Sequence, residues 1–293
     1  MWTTHKSNED LSVNFIKKFK NGMIEARYVR RCDNYMIAYL SSHSGCNLSC
    51  RFCHLTSTGQ TSFDSVSLDD YMEQAKLVLD YHKENSNVQL KEVHFNFMSR
   101  GEPLANESIK AGYGPELINN LYNLSLDYGL LGSSRLSSIF PNTIDKDLQY
   151  YIGLENVIPY YSLYSLDDNF RKRWIPKSLP VIETIKLLKE WQLKSGKHVV
   201  IHNAFIENEN DTVKNINDIC DILIENQLVC KMNIVRYNPY DTTKHGTETS
   251  EDKLIKLKDI FVNRMSNENL LYKNTRIVPR VGFDVKASCG MFM

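Results

Sequence analysis

Apolar and polar positions along the chain follow two alternating patterns. Short apolar runs rich in β-branched and aromatic residues predict strands, and apolar residues at spacings of three and four predict amphipathic helices between them. The predicted strands cover residues 93–98, 135–140, 157–162, 199–206, 231–237 and 275–281, and the predicted helices cover residues 67–80, 115–128, 181–191, 215–225 and 252–264. Ser67 is predicted to cap the first of these helices, with Asp70 close to the capping-box position.

The alternation of strands and helices continues from about residue 40 almost to residue 293. About six βα units predict an α/β fold of the partial (β/α)6 barrel type, in which parallel strands carry functional residues at their C-terminal ends. No Pro/Gly/Ser-rich linker interrupts the pattern. We therefore expect one core domain over residues 41–293, with residues 1–40 as an N-terminal extension that packs on it.

Composition and charge limit the class of protein. The 293 residues are 42% hydrophobic, enough for a large core, and no apolar run approaches the 18 residues of a membrane span. We expect a soluble, cytoplasmic protein. The 35 basic and 35 acidic residues cancel, so no global field attracts nucleic acid. Six Lys and Arg residues between positions 17 and 31 could form a phosphate-facing surface, or else a solvated helix face followed by an ordinary strand edge.

Three cysteines in the order C-x3-C-x2-C, Cys46, Cys50 and Cys53, are the most informative feature of the chain. Thiolates at this spacing can bind an iron–sulfur cluster through three irons and leave a fourth iron open for chemistry. A zinc clip is the main alternative, but zinc usually takes two spaced pairs of ligands and no second pair is present. A disulfide is disfavoured because the seven cysteines are an odd number.

Four further motifs extend the cysteine motif into a family resemblance. The cysteine loop with its preceding residues 41–46, and then residues 98–104, 162–171 with Pro176, 230–240 and 287–290, follow one another along the chain. In order and spacing they resemble the RlmN/Cfr family of radical S-adenosylmethionine RNA adenine methyltransferases. The resemblance covers residues from about 22 to 293, and five motifs in register are more specific than the cysteines alone.

The resemblance implies a role for each motif. The three cysteines would hold a [4Fe–4S] cluster, whose open iron binds the amino and carboxylate groups of S-adenosylmethionine. Gly101 and Glu102 would receive the amino end of this cofactor. Ser137, Ser162 and Asn238 would hydrogen-bond its ribose and carboxylate, as short polar side chains at strand ends can do rigidly.

Cys289 is the most diagnostic single residue. In a soluble protein such a cysteine is ordinarily a small buried hydrophobe or an idle thiol. In this family the matching cysteine accepts a methyl group, which is then activated by a radical and added to an adenine carbon. Gly290 would give the loop the freedom to move. Glu25 lies where the family has a proton acceptor, although on its own it would be interpreted as an exposed surface carboxylate.

The chain departs from the family at three points. Tyr39 stands where the family has a second cysteine, which resolves the covalent adduct between enzyme and RNA, and a phenol cannot form the required disulfide. Cys32 could replace it only if a turn brings it close to residue 39. Tyr164 replaces a histidine, and only about twenty residues precede the matched region, so we expect the family's N-terminal accessory domain to be absent.

The resemblance also implies partners. The substrate would be RNA, either rRNA or tRNA, and an external electron donor such as flavodoxin would be needed. We expect a monomer with no membrane partner. Two alternatives remain open: a radical S-adenosylmethionine enzyme with another substrate or another way to resolve the adduct, and a non-catalytic iron–sulfur protein that binds RNA.

Overall fold

One mixed sheet of ten strands organises the molecule. A computed structural model describes residues 1–273 and 275–293. In the sheet the spatial order of the strands is their order in the sequence. The strands are β1 (Thr3–Lys6), β2 (Val13–Phe19), β3 (Gly22–Arg30), β4 (Tyr35–Tyr39), β5 (Glu92–Asn96), β6 (Leu131–Ser138), β7 (Val157–Ser162), β8 (Val199–Asn203), β9 (Cys230–Ile234) and β10 (Arg276–Ile277).

Helices connect the parallel strands. From β4 to β10 all neighbours pair in parallel, and the chain crosses over six times between them. The α-helices are α1 (His54–Ser57), α2 (Leu68–Asn85), α3 (Gly114–Asp127), α4 (Leu148–Ile152), α5 (Asp168–Trp174), α6 (Val181–Ser195), α7 (Val213–Glu225), α8 (Thr242–His245) and α9 (Glu251–Asn267). A 3-10 turn at Pro103–Ala105 and a π-turn at Ile109–Tyr113 precede α3.

These crossovers confirm the predicted partial (β/α)6 barrel. The sheet does not close, because β1 and β10 are its two edges. The predicted capping box at the start of α2 is present: the Ser67 side chain accepts from the Asp70 amide, and the Asp70 carboxylate accepts from the Ser67 amide. The last predicted strand is shorter than expected, since only Arg276–Ile277 pairs with β9.

The two faces of the parallel strands differ in polarity. Side chains alternate between faces along a strand, so every second residue shares a face. On β5, for example, Val93 and Phe95 belong to the main hydrophobic core under the helices, whereas His94 and Asn96 line the interior of the partial barrel. The same alternation on the other strands gives the barrel a polar interior. The residues that face it are therefore available for binding and chemistry.

The N-terminal strands β1 to β3 continue the sheet on the far side of β4, all by antiparallel pairing. The basic residues at positions 17–31 lie on strands and a hairpin rather than on a helix. Lys17 pairs with Glu73 on α2, and Arg27 is buried. The boundary that we placed at residue 40 stays a prediction. Among the described residues, no helix is both long and apolar enough to cross a membrane.

Candidate active site

The cysteine motif forms a loop after β4, at the end of the barrel where the parallel strands finish. Its residues line a cavity of about 730 Å³ of empty volume, which we call the cysteine cavity. Six further residues predicted for the site, or matching its motifs, line this same cavity: Gly101, Glu102, Ser137, Ser162, Cys289 and Gly290. The motifs are up to 244 residues apart along the chain, and the shared C-terminal end of the parallel strands brings them together.

The three cysteine residues are half-buried in the wall of the cysteine cavity. Burial raises the pKa of Cys46 to about 12 and that of Cys53 to about 11, and burial also raises the pKa of Cys50. Thiolates at these positions therefore need a positive charge beside them, which a bound metal centre would provide. Within the described part of the chain, no three His, Cys, Asp or Glu side chains are arranged to hold a single metal ion.

Gly101 and Glu102 follow β5 and have different structural roles. Gly101 has φ of +94°, and a Cβ atom there would lie 2.5 Å from the imidazole Nδ1 of His43, so a side chain is excluded. The carboxylate of Glu102 accepts one backbone amide on each oxygen, from Leu104 and from Ile139, both at 3.1 Å. Burial raises the pKa of Glu102 to about 7. A cationic ligand in the cavity would favour its ionised form.

Two predicted polar residues have buried atoms that no described residue satisfies. These atoms are Oγ of Ser137, at the end of β6, and Oδ1 of Asn238, after β9. An unpaired buried polar atom costs free energy, so such atoms at a cavity wall are suited to a ligand. Asn238 lines the neighbouring cavity rather than the cysteine cavity, whereas Ser162 lines the cysteine cavity as predicted.

Cys289 lies where the cysteine cavity meets a second cavity inside the barrel. The second cavity has about 740 Å³ of empty volume, and its wall shares Met98, His202 and Cys289 with the first. We call it the arginine chamber, because six arginines line it: Arg27, Arg31, Arg135, Arg236, Arg276 and Arg280. Cys289 is accessible from the cavities, yet burial still raises its pKa, while Arg27 and Arg31 lower it.

Backbone contacts fix the segment that carries Cys289. The Asn238 side-chain amide donates to the Cys289 carbonyl at 2.9 Å, and the amide of His54 donates to the Gly290 carbonyl at 2.9 Å. Gly290 has φ of +76°, a conformation that glycine adopts without strain. The segment is therefore held both to the end of β9 and to the helix that follows the cysteine motif.

Glu25 is fully buried, so the interpretation as an exposed surface carboxylate is wrong. It forms ion pairs with Arg27 at 2.7 Å and Arg100 at 2.8 Å, and it accepts from the amide of Met293 at 3.0 Å. Burial would raise the pKa of Glu25, but the two guanidinium groups hold it below its usual value. Glu25 lines neither cavity, and its role as a proton acceptor stays a prediction.

Comparisons with known proteins agree with this architecture. No protein-family model matches the chain. It is 25% identical over 266 residues to the dual-specificity RNA methyltransferase RlmN of Aliarcobacter butzleri, covering 89% of this chain and 67% of that protein. It is 22% identical over 291 residues to the probable dual-specificity RNA methyltransferase RlmN of Natranaerobius thermophilus, a match that covers 98% of this chain and 76% of that protein. The chain is similar to the RlmN methyltransferases over most of its length. These matches confirm the predicted resemblance and the predicted class of enzyme, a methyltransferase.

Solved structures resemble the fold of this chain. A radical SAM methyltransferase from Sphaerobacter thermophilus superposes with a TM-score of 0.77 at 16% identity, covering 99% of this chain and 80% of that one. Streptococcus suis SuiB bound to S-adenosylmethionine gives a TM-score of 0.52 at 18% identity, and the match covers 84% of this chain and 47% of that one. Likenesses at this identity establish the radical SAM fold.

The structure locates the points where this chain departs from the RlmN pattern. Tyr39 lines the arginine chamber together with Cys289, and its hydroxyl accepts from Arg31 at 3.4 Å. Cys32 is exposed at the β3–β4 hairpin and is not part of either cavity wall. Tyr164 lines the cysteine cavity with φ of +60°, which is a strained conformation for a tyrosine.

The sequence analysis missed His202 and Met98 as residues shared by both cavities. His202 occupies an inward position on β8, and burial, with Arg31 and Arg276, lowers its pKa to about 4. It is therefore neutral at neutral pH. A histidine after three apolar residues in the predicted strand is the available signal, but the pattern alone does not say which face it occupies.

Proposed function

We propose that the chain methylates an adenine carbon in RNA, either rRNA or tRNA, with Cys289 as the carrier of the methyl group. The observation that supports this most is the position of Cys289 at the junction of the two cavities. A carrier must meet a methyl donor on one side and a substrate on the other. The cysteine cavity and the arginine chamber offer these two sides to one thiol.

The residues of the cysteine cavity fit a [4Fe–4S] cluster and S-adenosylmethionine. Cys46, Cys50 and Cys53 would hold the cluster, and the unpaired Oγ of Ser137 supports a polar ligand beside them. When bound, these groups would supply a methyl group and a 5′-deoxyadenosyl radical. Glu102 would accept the ammonium group of the cofactor. Gly101 and Ser162 would make further contacts from the same cavity wall, and Asn238 would do so from the wall of the arginine chamber.

The protein's part at Cys289 is to position the sulfur and to control its proton. Asn238 and His54 hold the backbone carbonyls of Cys289 and of Gly290, which follows it. Arg27 donates to the carbonyls of Ser288, at 3.4 Å, and Met291, at 2.6 Å. Its charge, and that of Arg31, favours the thiolate that must form before a methyl group can be accepted.

Tyr39 gives weight to a second candidate function, in which the enzyme acts on another substrate or resolves its adduct differently. The phenol faces the same chamber as Cys289 but cannot form a disulfide with it. Cys32 is separated from residue 39 by the length of the hairpin, because Arg27 rather than Cys32 is opposite Tyr39 in the strand pair. Replacement of the resolving thiol by Cys32 would require the hairpin to rearrange.

Nucleoside analysis tests the proposed activity. RNA from cells that express the chain, with an electron donor such as flavodoxin present, should contain 2-methyladenosine or 8-methyladenosine. RNA from cells that express Cys289→Ser should contain neither above background. Equal amounts in the two samples would contradict the role of Cys289, and an absence from both with intact cluster and cofactor cleavage would favour the second candidate.

A further inference from the structure

The arginine chamber carries an excess of positive charge in the interior of the barrel. Its described lining residues include no Asp or Glu. Three of its six arginines are neutralised by carboxylates outside the lining, in the pairs Arg27–Glu25, Arg236–Glu251 and Arg280–Glu248. The other three are Arg31, Arg135 and Arg276. No ion pair joins any of these three to a carboxylate elsewhere in residues 1–273 and 275–293.

The three unpaired arginines come from separate parts of the sheet. Arg135 is on β6, Arg276 is on β10, and Arg31 directly follows β3. Because their positions alternate with core residues, all three face the interior. Arg31 and Arg135 are half-buried and Arg276 is exposed, and the three guanidinium groups line one cavity wall without a carboxylate among its residues. Like charges on one wall repel one another, and an anion bound between them would supply the missing opposite charge.

Polar atoms in the same wall also lack partners. The Nε atom of Arg31 and the side-chain oxygens of Asn96 and Asn233 are buried, with no hydrogen-bond partner among the described residues. Asn233 is 3% exposed and Asn96 is 7% exposed. These atoms form a built site with both donors and acceptors, which suits a ligand that carries an anionic group and hydroxyl groups.

The titratable groups around the chamber respond to this charge. Burial, with Arg135, Arg276 and Lys231, lowers the pKa of His94 to about 3. Burial, with Arg276, Arg135 and Lys273, lowers the pKa of Lys231 to about 8. His94 is therefore neutral, and its contact with the half-exposed Glu92 at 3.3 Å is a hydrogen bond rather than an ion pair. The Glu92 carboxylate contacts His94 and forms no ion pair with Arg31, Arg135 or Arg276.

We propose that Arg31, Arg135 and Arg276 bind a phosphate group of the substrate, so that the ring to be methylated lies between this phosphate and Cys289. The proposal rests on the proposed function for the identity of the ring. An adenine ring is neutral at neutral pH, so a phosphate is the part of a nucleotide that can neutralise the chamber. Arginine pairs with phosphate through two parallel hydrogen bonds, which fixes the orientation of the ligand as well as its position.

Calorimetric titration of the reconstituted full chain tests this binding without turnover. The probes are adenosine, adenosine 5′-monophosphate and the dinucleoside phosphate ApA, with S-adenosylmethionine omitted. At least one phosphate-bearing probe should bind at least tenfold more tightly than adenosine. Tighter binding of the monophosphate identifies a terminal phosphate as the ligand, and tighter binding of ApA identifies an internal phosphate of RNA.

Variants connect the effect to the chamber. Arg135→Ala and Arg276→Ala should each lose most of the phosphate-dependent gain, and Arg276→Lys should keep part of it because the charge remains. Arg264→Ala is the matched control, since Arg264 pairs with Asp221 on the surface of the helices. Equal binding of all three probes, or unchanged affinity in folded Arg135→Ala and Arg276→Ala proteins, would overturn the proposal. Phosphate-dependent binding with no RNA methylation would contradict the proposed function alone.

Discussion

Replacing Glu25 by Gln should destabilise the protein strongly, because it removes the carboxylate charge that forms ion pairs with two buried arginines. The Glu25 carboxylate accepts from Arg27 at 2.7 Å, Arg100 at 2.9 Å and the Met293 amide at 3.0 Å. Removing one partner from a buried ion pair costs about 3–5 kcal/mol. The free energy of unfolding of a whole domain is about 5–15 kcal/mol, so we expect the substitution to remove a large fraction of it.

Urea unfolding followed by circular dichroism measures this loss. With a slope of about 3 kcal/mol per molar urea, the midpoint should fall by about 1–2 M. Glu73→Gln is the matched control, because Glu73 forms an ion pair with Lys17 on the surface. Its substitution should lower the free energy of unfolding by about 0–1 kcal/mol. A Glu25→Gln midpoint that falls no further than that of Glu73→Gln would refute the reasoning. A stable variant with lost activity would favour Glu25 as a proton acceptor.

Three further predictions follow from the same contacts. The pKa of Glu25 is lowered on folding, so its stabilisation is present above the unfolded value of 4.5 and is lost as pH falls from there through the folded value. Acid unfolding should therefore depend less steeply on pH in Glu25→Gln than in the wild type. Gly101→Ala should weaken S-adenosylmethionine binding and lower the melting temperature, whereas Gly59→Ala, also at positive φ but with no atom within 4 Å, should cost only backbone strain. If wild type keeps RNA bound through Cys289, Tyr39→Cys should release it as methylated product in a denaturing gel assay; free wild-type turnover would show that no resolving thiol is needed.

Local sequence signals predicted much of the fold. The capping box at Ser67 and Asp70 depends on residues three apart, so the start of α2 was predictable. The alternating apolar patterns predicted the crossovers because each helix and strand buries its own apolar face. The end of β10 was less predictable, since a two-residue strand pairs through its position beside β9 rather than through its own pattern.

Site residues that lie in sequence motifs were predictable. Site residues that only the folded chain brings together were not. The cysteines and Glu102 lie in recognisable motifs, and the structure gathers them in one cavity. Glu25 was interpreted as exposed because its partner Arg100 lies 75 residues away. The arginine chamber was not expected, since Arg135 and Arg276 have no sequence neighbours that mark them. Only the folding of the sheet into a partial barrel brings their charges together.

Peptide mass spectrometry of Cys289 tests the central claim most directly. Protein expressed with an intact cluster should carry a methyl group on Cys289, and a Cys50→Ala variant should lack it because the first transfer would depend on the cluster. The same preparation should contain about four iron and four sulfide per chain. Unmodified Cys289 in every preparation that retains the cluster and cleaves S-adenosylmethionine would contradict the role of this residue as a methyl carrier.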